Sequence, residues 1–290
     1  MSKDSWGRWG DQDEIGALNL IDPAKRLKAL SSVLEGRVVS LVQPLNRETP
    51  VPSHRLGVGH FLDRDGGDYA PSIRRPGGFQ FCEDTVILPT HSGTHIDALC
   101  HVWYDDQLYN GFDSAGTRSS GATRCGIEVM PPIFTRGILI DLAGDDGTAF
   151  SAGDRLTADQ LARACRDRNV QLSPGDAVLI RTGWSERIVE LGAIFFDGEP
   201  GIDLSAAEWL AEQDVTVVGA DNYAVEAIPF EGDSVFPVHQ RLLRDFGIPL
   251  IEGLMLGELA ASGRSEFLFC CAALPISGGT GSPIHPFGVL

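Results

Sequence analysis

Three of the chain's seven histidines and one aspartate lie within His91-Ser-Gly-Thr-His95-Ile-Asp97-Ala-Leu-Cys-His101. On an ideal helix His91 and His95 share a face, but at 100° per residue Asp97 and His101 point well away from it. On an extended chain all four lie on one side, yet at about 3.3 Å per residue His91 and His95 stand roughly 13 Å apart, too far to share one ion. The chain must therefore bend between them, and Gly93 is the residue that tolerates the φ > 0 such a bend needs. Two imidazoles and a carboxylate brought together this way suit Zn²⁺ or Mn²⁺ and leave coordination positions for water and substrate. A divalent ion lowers the pKa of its bound water to about 7, which makes hydroxide available at neutral pH. His101 titrates in the right range to move a proton and is read as the catalytic acid/base rather than a ligand. The spacing is not the zincin H-E-x-x-H, since Ser92, Gly93 and Thr94 separate the first two histidines.

The elements around this stretch alternate. Asp22 and Pro23 open a helix whose stripe is Leu27, Leu30, Val33 and Leu34 and which Gly36 ends, and Arg37 to Val42 reads as a strand. Asn46 to Gln80 is rich in Pro, Gly, Asp and Arg, an irregular cover over a site. Val86-Ile87-Leu88 is an apolar run that ends a strand near Leu88. Further strands are expected at 137–142, 176–180, 215–219, 248–251 and 267–273. Thr157 with Gln160 forms a capping box, Ser205 with Glu208 caps another helix, and Pro237 to Gly247 is a short helix. The class is α/β with a mixed sheet. Residues 1–36 form an N-terminal arm and helix, in which Trp6 and Trp9 either anchor the arm against the body or another subunit or wall a substrate pocket, and 37–290 form one domain.

The net charge of −17 repels phosphate backbones and anionic membranes, so neither nucleic acid nor membrane is an expected partner. The first sixteen residues lack the apolar stretch of a secretory signal, and no run is long enough to span a bilayer. Six cysteines without a CxxC pair fit reduced thiols in a cytoplasm. Cys100 is next to His101, but neighbours on an extended chain point to opposite faces, so it reads as a small core residue. The loop Gly278 to Ser282 lacks the lysine of a nucleotide-binding loop and is read as a substrate-site loop whose N–H groups hold a carbonyl or carboxylate. His54, His60 and His285 carry no pattern.

At His91, Gly93, Thr94, His95, Asp97 and His101 the chain resembles the cyclase family of metal-dependent hydrolases, with the pattern H-x-G-T-H-x-D-x-x-x-H; kynurenine formamidases and isatin hydrolases belong to it. Val238-His239-Gln-Arg-Leu-Leu243, Ile251-Glu252-Gly-Leu and Ser277-Gly-Gly-Thr-Gly-Ser-Pro283 are similar to further family segments. The resemblance implies a swivelling β/β/α fold, with His91, His95 and Asp97 as primary metal ligands and His101 as acid/base. It also implies His239 and Glu252 as ligands of a second ion or as lining, and a homodimer or homotetramer. The chain departs from formamidases in carrying Leu99 where they commonly have proline, and in its extra N-terminal forty residues and 46–80 segment, which matches the longer branch with isatin-hydrolase-like proteins. The expected activity is hydrolysis of an amide, lactam, formamide or lactone in a small molecule. A lyase or cyclase using the ion as Lewis acid, and a non-catalytic metal module, are the alternatives.

Overall fold

The computed structural model describes residues 4–69, 75–143, 150–188 and 196–290. In chain order its strands are β1 (Val38–Ser40), β2 (Gly59–Arg64), β3 (Glu83–Ile87), β4 (His95–Asp97), β5 (Ile133–Asp141), β6 (Arg155–Leu156) and β7 (Ala177–Arg181), then β8 (Gly201–Ile202), β9 (Val217–Ala220), β10 (Leu250–Glu252), β11 (Glu266–Cys271), β12 (Gly281–Pro283) and β13 (Phe287–Val289). The helices are α1 (Pro23–Ala29), α2 (Ala158–Asp167), α3 (Leu204–Glu212), α4 (Pro237–His239, continuing as a π-helix over Gln240–Asp245) and α5 (Gly257–Ala261).

A nine-stranded mixed sheet runs β1-β13-β11-β5-β7-β9-β10-β4-β12. Its centre, β5-β7-β9-β10, is parallel, and β7 and β9 are buried at every position, as parallel strands covered on both faces must be. The flanks are antiparallel. Val178, Leu179, Val217 and Val218 pack with Leu161 of α2 and Leu210 of α3 in one core. The Thr157 capping box forms as expected.

Several expectations are corrected. Helix α1 stops at Ala29 and passes into a 3-10 turn, so Leu27, Leu30 and Leu34 are 70%, 48% and 67% exposed rather than facing the core. The N-terminal residues that do enter the core are Ala17, Leu18 and Ile21. The 46–80 segment is not wholly irregular, since it supplies β2, which pairs with β3 in a separate two-stranded ribbon; residues 70–74 of that segment lie outside the described ones. The cap of α3 is Asp203, whose carboxylate accepts from Ala206 N at 2.9 Å, while Ser205 Oγ donates to that same carboxylate. A charged acceptor outcompetes the hydroxyl for the helix N-terminus.

Trp6 anchors the arm to the body: its Nε1 donates to Arg244 O at 2.9 Å, and the Arg244 guanidinium lies over its ring. No helix among the described residues is long and apolar enough to cross a membrane.

Candidate metal centre

The bend is at Gly93, with φ +58, and β4 begins two residues later. Because β4 is extended, His95 and Asp97 project to one side of it. Strand β10 then supplies a residue from far downstream: Glu252 is the direct antiparallel partner of His95. Cross-strand partners have Cβ atoms only about 5 Å apart, which is how a contact over 150 residues of chain becomes a local one. On the other side of β4, Gly281 of β12 pairs with Asp97, and a Cβ there would lie 2.6 Å from His91 Cε1. The fifth group comes from α4, where Phe236 in the left-handed region turns the chain so that His239 points inward.

These side chains meet in a buried cluster. His91 Nδ1 lies 2.7 Å from Asp97 Oδ1, and His91 Nε2 lies 3.0 Å from Thr280 Oγ1. His95 Nδ1 donates to Gly93 O at 2.9 Å, which leaves Nε2 as the free lone pair. That Nε2 is 3.1 Å from Glu252 Oε2 and 3.7 Å from Asp97 Oδ1, yet it is buried without a hydrogen bond. Asp97 Oδ2 is likewise buried and unpartnered, 3.7 Å from His239 Nε2. His239 Nε2 is 3.1 Å from Glu252 Oε1. The His101 ring stacks on His91 with centroids 4.1 Å apart. His91, Asp97 and His101 form one potential ion-holding group and Asp97, His239 and Glu252 a second, so Asp97 is common to both.

The electrostatics call for a cation. Burial opposes a charge on Asp97, but His101, His91 and His95 outweigh it and hold the carboxyl far below its usual range. Burial opposes a charged His95 too, and there Glu252 and Asp97 win and raise it. His239 is raised well above an ordinary imidazole by Glu226 and Glu252 against its burial. Protons are thus drawn to imidazole nitrogens whose lone pairs face carboxylates, the position a divalent ion would take. His101 behaves differently: burial, reinforced by His91 and His239, lowers it to about 4, so it is neutral at physiological pH and able to accept a proton.

The expected ligands His91, His95 and Asp97 and the expected acid/base His101 are therefore brought together, and so are His239 and Glu252. His239 is buried, 4% exposed, with its ring inside the cluster. The glycine-rich loop does not do what its sequence suggests. Gly278 N donates to Glu128 and Gly279 N to Ile276 O, and Thr280 contacts His91, so the loop buttresses the His91 ring and does not line the cavity. Cys100 is fully buried, and burial pushes its thiol up to about 12.

Four contributors have no motif in the sequence. Glu226 accepts from His239 Nδ1 at 2.7 Å and from the N–H groups of Val238 and His239, which fixes Nε2 toward the cluster. Glu199 accepts from Tyr223 N and Ala224 N, and burial pushes its carboxyl well above the usual range. Arg55 donates to His91 O and, at 2.7 Å, to Tyr223 Oη. Tyr223, Glu226 and the intervening loop follow the carboxyl end of β9, the position where parallel sheets place their ligands, and that placement is the one signal sequence reasoning had for them. Over the cluster opens a cavity of about 290 Å³ that His101, Arg55, Phe196, Tyr223 and Phe236 line.

A family model described as "Putative cyclase" matches residues 39–227. The chain belongs to the cyclase family. His91 to His101 fall within the match and His239 and Glu252 beyond it. A solved structure of a novel cyclase superposes with TM-score 0.91 at 36% identity, covering 99% of this chain and 97% of the other. Cyclase-like protein 3 of Oryza sativa subsp. japonica is 28% identical over 86% of this chain and 78% of its own length. Isatin hydrolase of Roseibium aggregatum is 29% identical over 72% of this chain and 75% of its own. The mixed α/β sheet matches the architecture of these cyclase-fold neighbours.

Proposed function

We propose that this cyclase-family chain is a metal-dependent hydrolase that opens a C–N or C–O bond of a small carbonyl substrate, an amide, lactam, formamide or lactone. The observation that carries the reading is the pair of orphaned buried atoms, His95 Nε2 and Asp97 Oδ2, facing Glu252 and His239 beneath an open cavity. Buried polar atoms without partners are costly unless something not yet counted satisfies them. His91, His95 and Asp97 would hold the ion, with His239 and Glu252 completing a second position or the rim. A bound Zn²⁺ or Mn²⁺ supplies a Lewis acid for the carbonyl oxygen and a water of lowered pKa. Neutral His101, at the cavity edge, takes a proton from the attacking water and returns it to the leaving nitrogen or oxygen. Phe196, packed edge-on against Tyr223 at 4.7 Å, and Phe236 wall the cavity against bulk water. Isatin hydrolase among the relatives supports the hydrolytic choice.

The test is metal analysis of the purified protein, followed by a screen of lactams, lactones and formamides in ¹⁸O-labelled water. One solvent oxygen should enter the product. His95→Ala should lose bound metal and turnover together, whereas His101→Ala should keep its metal and lose about 10²- to 10⁴-fold in turnover. Full activity in a metal-free preparation, or product without solvent oxygen, overturns the reading.

A further inference from the structure

The metal cluster occupies one part of its cavity, and the turn between β1 and β2 brings a different chemistry to the wall. Among the described residues Arg55 is the one permanent cation lining that cavity. Its guanidinium is fixed in place: Nη1 donates to His91 O and, at 2.7 Å, to Tyr223 Oη, and the guanidinium carbon lies over the Tyr223 ring, 5.4 Å from its centroid. One nitrogen thus makes both hydrogen bonds. The donors on Nε and Nη2 have no acceptor among the described residues, and no carboxylate there comes within ion-pair distance of the group. Other partly buried arginines differ, since Arg136, Arg181 and Arg244 are each met by a carboxylate.

The acids on the same wall are engaged elsewhere. Glu252 faces His95 and His239 at 3.1 Å each, Glu199 accepts from Tyr223 N and Ala224 N, and Asp197 is exposed and forms no ion pair with Arg55. Arg55 itself is half-buried, and withdrawing a charge from water costs free energy that an oppositely charged partner offsets. A planar guanidinium with two adjacent nitrogens free has the geometry of a carboxylate fork. Tyr223 sets how far this fork stands from the cluster, because its ring centroid is 5.4 Å from the His95 ring as well as 5.4 Å from the Arg55 guanidinium. A small molecule filling a cavity of about 290 Å³ can therefore rest one end on the cluster and the other on Arg55.

We propose that Arg55 binds a carboxylate carried by the substrate, so that the amides, lactams, formamides or lactones opened here are anionic, with the carboxylate remote from the scissile carbonyl. The proposal rests on the hydrolytic reading above and narrows its substrate class. Water oxygen goes to the acyl carbon and a water proton to the leaving nitrogen or oxygen, so each turnover frees a second carboxylate together with an amine or a hydroxyl. On a chain of net charge −17 an anionic substrate needs a local cation of this kind to enter.

Matched pairs that differ by one carboxylate test this on the metal-loaded full chain: pyroglutamate against 2-pyrrolidinone, γ-butyrolactone with and without a γ-carboxylate, and 3-formamidobenzoate against formanilide. Calorimetry gives Kd where a compound is bound and not turned over, and kcat/KM replaces it where product forms. The carboxylated member of at least one pair should be favoured by at least about tenfold, the scale of a charge-assisted hydrogen bond. Arg55→Met should bring that ratio to about one, and Arg55→Lys, which keeps a cation but not the fork and serves if Arg55→Met disturbs the fold, should lower it severalfold. Because Arg55 also holds His91 O, a purely structural role would weaken both members of a pair alike and leave their ratio intact, which overturns the proposal. No preference in any pair overturns it too, as does a preference that survives both variants, since the carboxylate would then lie on the metal cluster. Arg55-dependent binding of the carboxylates without hydrolysis of any compound would defeat the hydrolytic reading and leave the carboxylate site standing. Hydrolysis of the neutral members as fast as the carboxylated ones would do the reverse.

Discussion

At the residue scale, what could be read from the sequence is what is contiguous. His91, His95, Asp97 and His101 carry their chemistry in residue type and spacing, and the bend they need falls at Gly93, whose φ is +58. Glu226 could not be found that way: it is one of 40 acidic residues, and only the folded chain sets it beside His239 Nδ1. It is a positioning residue with a specific load. Its Oε1 takes both the backbone N–H and the ring Nδ1 of His239, and its Oε2 takes Val238 N, so all three partners are donors. A glutamine keeps the shape but turns one end into a donor facing another donor. Glu226→Gln should therefore lower metal affinity about 10- to 100-fold, the usual effect of removing the carboxylate behind a ligand histidine. Competition with a fluorescent chelator measures it, and a fold intact by circular dichroism with unchanged affinity would show that His239 is not a ligand.

At the scale of elements, the parallel strands could be read because buried strands are apolar throughout, as in Ala177-Val-Leu-Ile180. In the ribbon, β3 was marked by the apolar run Val86-Ile87-Leu88 and ends at Ile87, but β2 could not be read: its middle is exposed, so it lacks the alternation that marks a half-buried strand. Nor could the π-helical run that continues α4, because its sequence is ordinarily helical. The pairing of β12 with β4 was legible only as a glycine-rich loop, and its physical requirement is steric. Gly281 sits where a Cβ would come within 2.6 Å of His91 Cε1 and 2.9 Å of Ile96 O. The backbone oxygen cannot yield without shifting β4, so the ligand strand and the ring would move together. Gly281→Ala should cost about 1–3 kcal/mol of stability, in the range of overpacked interiors. It should also weaken metal binding, while alanine at the open, unpacked Gly263 on the far side of the sheet would leave metal binding unchanged. Urea denaturation and chelator competition on the two variants separate a local steric effect from a general glycine effect.

At the scale of the whole molecule, the centre joins parts that the sheet alone does not connect: β4 and β10 give His95, Asp97 and Glu252, and α4 gives His239 from a helix that packs on α3. The same α4 segment receives the N-terminal arm, since Ser5 N donates to Asp245 O and Trp6 Nε1 to Arg244 O. Four buried carboxylates, Asp97, Glu199, Glu226 and Glu252, surround this junction. Without a cation, burial draws Glu199 toward its neutral form, and the charges of Asp97 and Glu252 are met by protonation of His95 and His239, both drawn above their ordinary range. A bound ion should therefore stabilise the entire fold rather than a loop. For an ion present at about a thousand times its Kd the linkage is about 4 kcal/mol, and chains of this size shift by roughly 2–4 °C in Tm per kcal/mol. Exhaustive chelation should lower Tm by about 8–16 °C, and adding back Zn²⁺ or Mn²⁺ should restore it. The His95→Ala variant should melt near the chelated value and ignore chelator. A wild-type Tm unmoved by chelation, with metal loss verified by elemental analysis, would mean that the cluster balances its own charge and that the ion is dispensable to the fold.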